Sequence, residues 1–198
     1  MTHYYSPTQT SKLIVNPVRQ ILRGKDFEIL CSSGVFSSKA IDYGTQVLVN
    51  NAIVVNGWKV LDLGCGCGVV GIVVAEIFPK CKVVMSDVNK RAVYISSKNM
   101  RNHGLENVEV VESDLFKKID DTDFDTIITN PPMVAGRELC YKIIEESFLH
   151  LKQGGVLQLV ARHQKGGKML EEKMKEVFGN VEQIAKKGGF RVYVSKKE

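Results

Sequence analysis

Asn130-Pro131-Pro132-Met133 carries the most specific chemistry in this sequence. Two prolines fix the backbone, so the Asn130 side-chain oxygen and the Pro131 carbonyl oxygen can be held toward a single donor. Pro131 has no N–H of its own to compete for that space. Two aimed acceptors suit a planar exocyclic NH₂ group. A nitrogen that attacks a methyl carbon becomes tetrahedral and cationic, and acceptors stabilise that change more than they stabilise the ground state. Taken alone, Asn-Pro-Pro is an ordinary turn after a strand, so its meaning depends on what stands beside it.

A second stretch, Trp58–Gly71 (WKVLDLGCGCGVVG), reads as a buried strand, a glycine-rich turn and a helix. Gly64, Gly66 and Gly68 alternate where missing side chains let the backbone turn and approach a ligand. Asp87 lies 25 residues beyond Asp62. It ends the next apolar run, where a carboxylate can accept from both hydroxyls of a ribose, with Val88 placed against a base. Asp114 ends the third run and can accept from an adenine amino group or serve as a plain turn residue. Asp62, among apolar neighbours, needs partners: backbone N–H groups of the glycine loop or the amine of a cofactor.

These residues need a scaffold, and the apolar pattern supplies one. Strands are expected at Val60–Leu63, Cys81–Ser86, Val108–Val111, Phe124–Thr129, Val156–Ala161, Asn180–Ala185 and Phe190–Val194. Helices are expected at 69–78, from an Asn89 cap to His103, at 137–151 with Gly154-Gly155 as its stop, and at 166–178. Lys117–Asp123 is too short for a crossover helix. The result is an α/β, doubly wound, mostly parallel seven-stranded sheet with a C-terminal antiparallel hairpin around Gly188-Gly189. Residues 57–198 form this main domain, and residues 1–56 an N-terminal extension that packs on it and closes over its ligand. Within the extension, a polar arm leads to a short helix at Pro17–Arg23 and a strand at Phe27–Cys31. A helix follows at Thr45–Val54 with Thr45 as its N-cap. In such a sheet ligands sit beyond the carboxyl ends of the strands, where Gly64–Gly68, Asp87, Asp114 and Asn130–Met133 converge.

Composition narrows the function. The chain has 198 residues, 44% of them hydrophobic and 25% charged, which suits one soluble α/β domain. No membrane span or signal peptide is expected, so the cytoplasm is the default location. The five cysteines are odd in number and sit in apparent core segments, which argues against a disulfide framework. Cys65-x-Cys67 has half of a metal-site spacing and no second pair, so no metal is expected. Net charge is +5 and uneven: residues 1–57 carry +2, residues 58–160 carry −2, and residues 161–198 carry +5. A basic tail beside a slightly acidic body suits a polyanionic partner, and equally a solvated surface.

With these motifs in place, the sequence resembles the class I S-adenosylmethionine-dependent methyltransferases. Within them it is similar to the small-domain ribosomal RNA guanine-N2 methyltransferases and their single-domain archaeal relatives. The resemblance runs from about Ile29 to Val194 through SSGVFSSKAIDYGTQVL (Ser32–Leu48), VLDLGCGCGVVG (Val60–Gly71), SDV (Ser86–Val88), SDLF (Ser113–Phe116) and TNPP (Thr129–Pro132). It implies that Asp62, Gly64, Cys65, Gly66 and Gly68 wrap the methionine part of S-adenosyl-L-methionine. It implies that Asp87 and Val88 take the ribose, and that Ser113, Asp114 and Leu115 lie by adenine. Phe36 and Thr45 are implied in the wall of the cofactor pocket. Asn130, Pro131, Pro132 and Met133 are implied to hold the target amine, with Asn130 also bordering the cofactor. The substrate so implied is guanine in ribosomal RNA or the small ribosomal subunit.

Two departures stand out. An aromatic residue commonly follows NPP, and here Met133 must cover a ring with a polarisable side chain. No counterpart of the N-terminal extra domain of the bacterial two-domain enzymes is expected, so Arg137, Arg162, His163, Lys165, Lys168 and the C-terminal lysines, or else a partner, are expected to take a larger share of phosphate contacts. Rival readings are an amine of adenine or cytosine, a protein glutamine amide, and a non-catalytic RNA-binding protein. A nicotinamide-dependent oxidoreductase is a further rival, since Gly66-x-Gly68-x-x-Gly71 satisfies GxGxxG.

Overall fold

The computed structural model describes residues 3–198. After an irregular arm, strands β1 (Val15–Leu22) and β2 (Lys25–Ser32) form an antiparallel hairpin. The helix expected at Pro17–Arg23 is therefore a strand. Its few apolar residues fit either period, and the turn decides: Arg23 and Gly24 both take positive φ, 48° and 78°, the geometry of a tight two-residue hairpin. Pro17 sits on the outer strand of this pair, where a missing N–H is tolerated. An isolated hairpin is marginal. This one persists because Leu22, Phe27, Ile29 and Cys31 are buried against the body.

Helix α1 (Tyr43–Asn51) leads into the main sheet. Strands β3 (Lys59–Leu63), β4 (Lys82–Asp87), β5 (Val108–Glu112) and β6 (Phe124–Thr129) follow, then β7 (Leu151–Arg162), β8 (Glu182–Lys187) and β9 (Phe190–Lys196). Helices α2 (Val69–Ile77), α3 (Lys90–Asn102), α4 (Arg137–His150) and α5 (Lys168–Phe178) connect most of them. The β5–β6 link has no helix, as its charged sequence predicts. The order is β5-β4-β3-β6-β7-β9-β8, with β9 alone antiparallel to its neighbours. This is the doubly wound, mostly parallel seven-stranded sheet with a C-terminal hairpin.

Successive residues of a strand face opposite sides, and here both sides are apolar because helices cover both. Val60, Met85, Ile128 and Val160 pack with α1, α2, α3 and the β1–β2 hairpin. Leu61, Val84, Ile127 and Leu159 pack under α4 and α5. Several boundaries differ from expectation: β8 lies two residues beyond Asn180–Ala185, and α1 ends at Asn51 rather than Val54. Helix α1 starts at Tyr43 because Asp42, rather than Thr45, is the cap: its carboxylate accepts from the Thr45 N–H at 3.0 Å. Strand β7 begins at Leu151, so Gly154-Gly155 is an irregularity inside the strand and not a helix stop. The backbone of Phe124 presses so closely there that a Cβ on Gly155 would lie 2.8 Å from its carbonyl oxygen. Among the described residues no helix is long and apolar enough to cross a membrane.

Candidate active site

The strand order reverses between β3 and β6, and a cavity of about 370 Å³ opens there at the carboxyl ends of β3, β4, β5 and β6. Its floor is the turn after β3. The N–H groups of Gly64 and Cys65 both donate to the Ser86 carbonyl at 2.9 Å, which ties this turn to β4. The Gly66 N–H donates to Asp87 Oδ2 at 2.9 Å, while Asp87 Oδ1 accepts from the Asn89 N–H at 2.8 Å. Burial raises the Asp87 pKa, and those N–H groups offset part of the rise. Asp62 is 2% exposed and accepts from the Gly71 N–H at 2.9 Å. It thus fastens the start of α2 while still lining the cavity.

The glycines divide by role. A Cβ on Gly64 would meet nothing within 4 Å, and one on Gly66 only Val35 at 3.8 Å, so both border open space. Gly68 caps α2 in the left-handed conformation, with φ 85°, and lies below the loop against Met85 and Ser96 rather than on the cavity. Cys65 lines the cavity, and burial pushes its thiol pKa well up. All five cysteines are free and buried, and among the described residues no cluster of three metal-ligating side chains occurs.

The other predicted residues fall around the same space. Val88, Ser113, Asp114, Leu115, Phe36 and Thr45 all line it. Ser113 is buried, and its hydroxyl donates to the Leu115 carbonyl and accepts from the Lys118 N–H, which shapes the turn after β5. Asp114 is exposed and pairs with Lys117 at 2.6 Å. Ser86 also lines the cavity, and its hydroxyl has no hydrogen-bond partner among the described residues.

At the far side the chain leaves β6 as Asn130-Pro131-Pro132. The Asn130 amide N–H₂ donates to Thr45 Oγ1 at 2.9 Å and to Asp42 Oδ2 at 3.1 Å. Both amide hydrogens are thereby committed, and Oδ1 remains as the acceptor. Asp42 is a positioning residue that the sequence reading missed, although Asp-x-x-Thr before an apolar run is the signature of a capping aspartate. The Pro131 carbonyl accepts from the Met133 N–H at 2.9 Å, which leaves its second lone pair.

Met133 does not line the cavity. A single 3₁₀ turn at Met133–Ala135 swings its side chain toward Cys140, with sulfurs 3.9 Å apart, and toward Gly166. It fastens the turn after β7 to the Asn-Pro-Pro segment and leaves the ring-covering position to other residues. The sequence reading also missed Tyr4, Tyr5 and Pro7 of the N-terminal arm, which border the cavity. A polar arm without periodicity gives no signal of that placement.

Of the basic residues, Arg162, Lys165 and Lys168 are exposed around the turn after β7, and Arg137 is exposed at the start of α4. Lys186 and Lys187 lie at the same end of the sheet, where the β8–β9 turn rests on Tyr43. Lys173 is instead buried, pairing with Glu145 at 2.7 Å and Glu176 at 2.8 Å. Lys196 and Lys197 lie at the opposite end of the sheet, beside Gly154 and Gly155.

A doubly wound sheet in this order, with its cavity over the glycine turn and an Asn-Pro-Pro segment at the fourth strand end, defines the class I methyltransferase architecture. A family model described as methyltransferase small domain matches residues 26–194. The chain belongs to this methyltransferase small domain family. The uncharacterized protein YbxB of Bacillus subtilis is 38% identical over 198 residues, covering 98% of both chains. Ribosomal RNA small subunit methyltransferase C of Actinobacillus pleuropneumoniae is 36% identical over 181 residues, covering 88% of this chain and 53% of that protein. The chain thus spans about half the length of the methyltransferase C relatives. Among solved structures, the T. thermophilus 16S rRNA N2 G1207 methyltransferase (RsmC), in complex with AdoMet and guanosine, superposes with a TM-score of 0.82 at 22% identity. That match covers 96% of this chain and 52% of that one. A methyltransferase from Pyrococcus furiosus superposes with a TM-score of 0.64 at 25% identity, covering 73% and 77%. Family membership leaves the oxidoreductase reading of GxGxxG without support.

Proposed function

We propose that this protein transfers a methyl group from S-adenosylmethionine to an exocyclic amine of a nucleobase, specifically guanine N2 in ribosomal RNA. The observation that carries the reading is the fixed Asn130 amide: Asp42 and Thr45 hold its hydrogens, so its oxygen serves as an acceptor at the cavity's edge. The cavity fits the cofactor on three counts. Open space lies over Gly64 and Gly66, a half-buried carboxylate stands at Asp87, and the Ser86 hydroxyl lacks a partner among the described residues. When bound, S-adenosylmethionine would supply an electrophilic methyl group on a cationic sulfur.

The chain's own residues then do three things. Asp87 accepts from the ribose hydroxyls, and the glycine turn with Asp62 receives the methionine part. Asn130 Oδ1 and the Pro131 carbonyl accept from the target NH₂ and stabilise the positive charge that builds on its nitrogen. Apolar walls from Leu139 and Ile143 exclude water on the α4 side. No strong base is required, because the nitrogen releases its proton to water during or after bond formation, so alignment and electrostatics carry the rate.

Guanine N2 is favoured by the name of the T. thermophilus enzyme, a 16S rRNA N2 G1207 methyltransferase. Ribosomal RNA is favoured by the name of the methyltransferase C relatives and by the exposed Arg137, Arg162, Lys165, Lys168, Lys186 and Lys187. These cations, with His163, form the phosphate-contacting rim in this proposal. Kinship with the single-domain archaeal members and residence in the cytoplasm belong to the same proposal. A base in a loop or an assembling particle is the expected target, since it must leave any helix to enter.

The test is transfer of labelled methyl groups to ribosomal RNA and to subunits from a strain lacking the gene, followed by nucleoside analysis. The expected product is N2-methylguanosine, absent with Asn130→Ala even though that variant still binds S-adenosylmethionine. Label in N6-methyladenosine, N4-methylcytidine or a glutamine amide would replace guanine by that acceptor. Cofactor binding with no labelled acceptor would support the non-catalytic RNA-binding alternative.

A further inference from the structure

The arm before β1 lies outside the span that the family model matches. It is nevertheless fastened across the cavity mouth. The Tyr4 carbonyl accepts from the side chain of Asn89, a fully buried residue, at 2.7 Å. The Pro7 carbonyl accepts from the Lys90 N–H at 3.1 Å, and the Ser11 carbonyl accepts from Arg91 at 2.6 Å. All three anchors belong to the start of α3, next to Asp87. The backbone of the arm therefore runs along the ribose edge, and its side chains reach over the opening.

Tyr4 is half-buried and lines the cavity, with its ring tilted against Phe36 at 5.1 Å between centroids. Burial raises the pKa of its hydroxyl, followed by the charges of Tyr5, Cys140 and Asp42. Phe36, against which the ring leans, stands in the Ser32–Thr45 segment that also brings Asp42 and Thr45 to the Asn130 amide. Tyr4 and Phe36 thus share the cavity wall with Asp42 and Thr45, the two residues that hold Asn130. Met133, which follows the Asn-Pro-Pro segment, is turned against Cys140 and Gly166 and presents no face to the cavity.

We propose that Tyr4, braced from behind by Phe36, is the aromatic surface on which the target base stacks while Asn130 and Pro131 hold its amine. The inference rests on the nucleobase reading above. It assigns to the N-terminal arm the contact that the residue after Asn-Pro-Pro does not make. Stacking on an aromatic face tolerates any base, so Tyr4 sets affinity and Asn130 sets which amine is presented.

The experiment is a ligand-observed NMR titration of guanosine, adenosine and cytidine into the full chain saturated with S-adenosylhomocysteine. It compares the unmodified protein with Tyr4→Ala and Tyr4→Phe. Tyr4→Ala is expected to weaken every nucleoside that binds by roughly tenfold or more, in line with the loss of one stacking face. Tyr4→Phe keeps the ring and should restore binding, and S-adenosylhomocysteine affinity should be unchanged in both. Undiminished guanosine binding by Tyr4→Ala would overturn the stacking role while the guanine reading stands. A parallel loss of S-adenosylhomocysteine affinity would overturn it too, by making the arm a strap for the cofactor. If adenosine or cytidine binds in place of guanosine and is lost with Tyr4→Ala, the stacking role stands and the guanine reading falls. A protein that binds no nucleoside overturns both.

Discussion

In the proposed reaction, Asp62 couples folding to cofactor binding. Burial pushes its pKa up to about 7, the Gly71 N–H pulls it back in part, and the nearby Asp87 charge raises it again. The native state therefore binds this proton more tightly than the unfolded chain does. The stability linked to Asp62 is present below about pH 4 and is lost as pH rises toward 7. A cationic cofactor beside the carboxylate reverses the trend for binding. S-adenosylmethionine affinity should rise by about tenfold between pH 6 and 8, and calorimetry should find Asp62→Asn flat over that range. At the other edge of the cavity, Asp42→Ala removes both the cap of α1 and one holder of the Asn130 amide. Its turnover should fall about tenfold or more while cofactor affinity stays the same, since misplaced acceptors act on the transition state alone. Unchanged turnover would show that Thr45 suffices to orient the amide. Asp62, Asp87 and Asn130 were legible because each directly follows or interrupts an apolar run. Asp42 was overshadowed by Thr45, an equally good cap three residues on. Tyr4 was hidden because its contacts with Asn89 and Phe36 span long stretches of sequence.

The elements owe their positions to a few close approaches. Helix α2 sits tightly on β4 because Gly71 has no side chain: a Cβ there would lie 2.4 Å from Met85 Cγ. Gly71→Ala should cost about 1–3 kcal/mol in thermal or chemical denaturation and loosen the glycine turn that Asp62 steadies. The β1–β2 hairpin is held chiefly by its buried side chains, so Phe27→Ala, which removes a ring that is 1% exposed, should cost about 3–5 kcal/mol. A smaller loss would mean that the hairpin docks more loosely than its burial implies. The inner strands β3, β4, β6, β7 and β9 were legible because strands buried on both faces read as apolar runs, whereas the edge strand β8 is largely uncovered and lies two residues beyond the expected Asn180–Ala185. Pro17–Arg23 misled for the opposite reason. That segment is only half covered, its exposed Ile21 blurs the alternation, and the Arg23-Gly24 turn outweighs a weak helical pattern. Gly154-Gly155 misled because two glycines before an apolar run read as a stop. Instead the Gly154 N–H donates to the Lys197 carbonyl and keeps the segment within the sheet.

For the molecule as a whole, charge and topology gather the cavity and a set of exposed cations at one end of the sheet. Exposed Arg162, Lys165, Lys186 and Lys187 share the cavity's end, whereas Lys196 and Lys197 sit at the far end. Replacing Lys186 and Lys187 together with alanine should weaken RNA binding at low salt and flatten its logarithmic salt dependence by roughly 0.7 per lysine removed. The same change at Lys196 and Lys197 should leave that slope intact. Equal effects from both pairs would remove the case for a localised rim. The basic tail was legible as charge, but its division into rim lysines, an ion-paired Lys173 and a distal pair required the strand directions. The course of the two chain ends carries a practical consequence. Tyr4, Tyr5 and Pro7 border the cavity mouth, while β9 runs away from it toward Lys196. A bulky label attached at Tyr5 would crowd the opening that the proposed substrate must use. One attached at Lys196 would leave that opening clear, so the two labelled proteins should differ in kinetics despite identical cores.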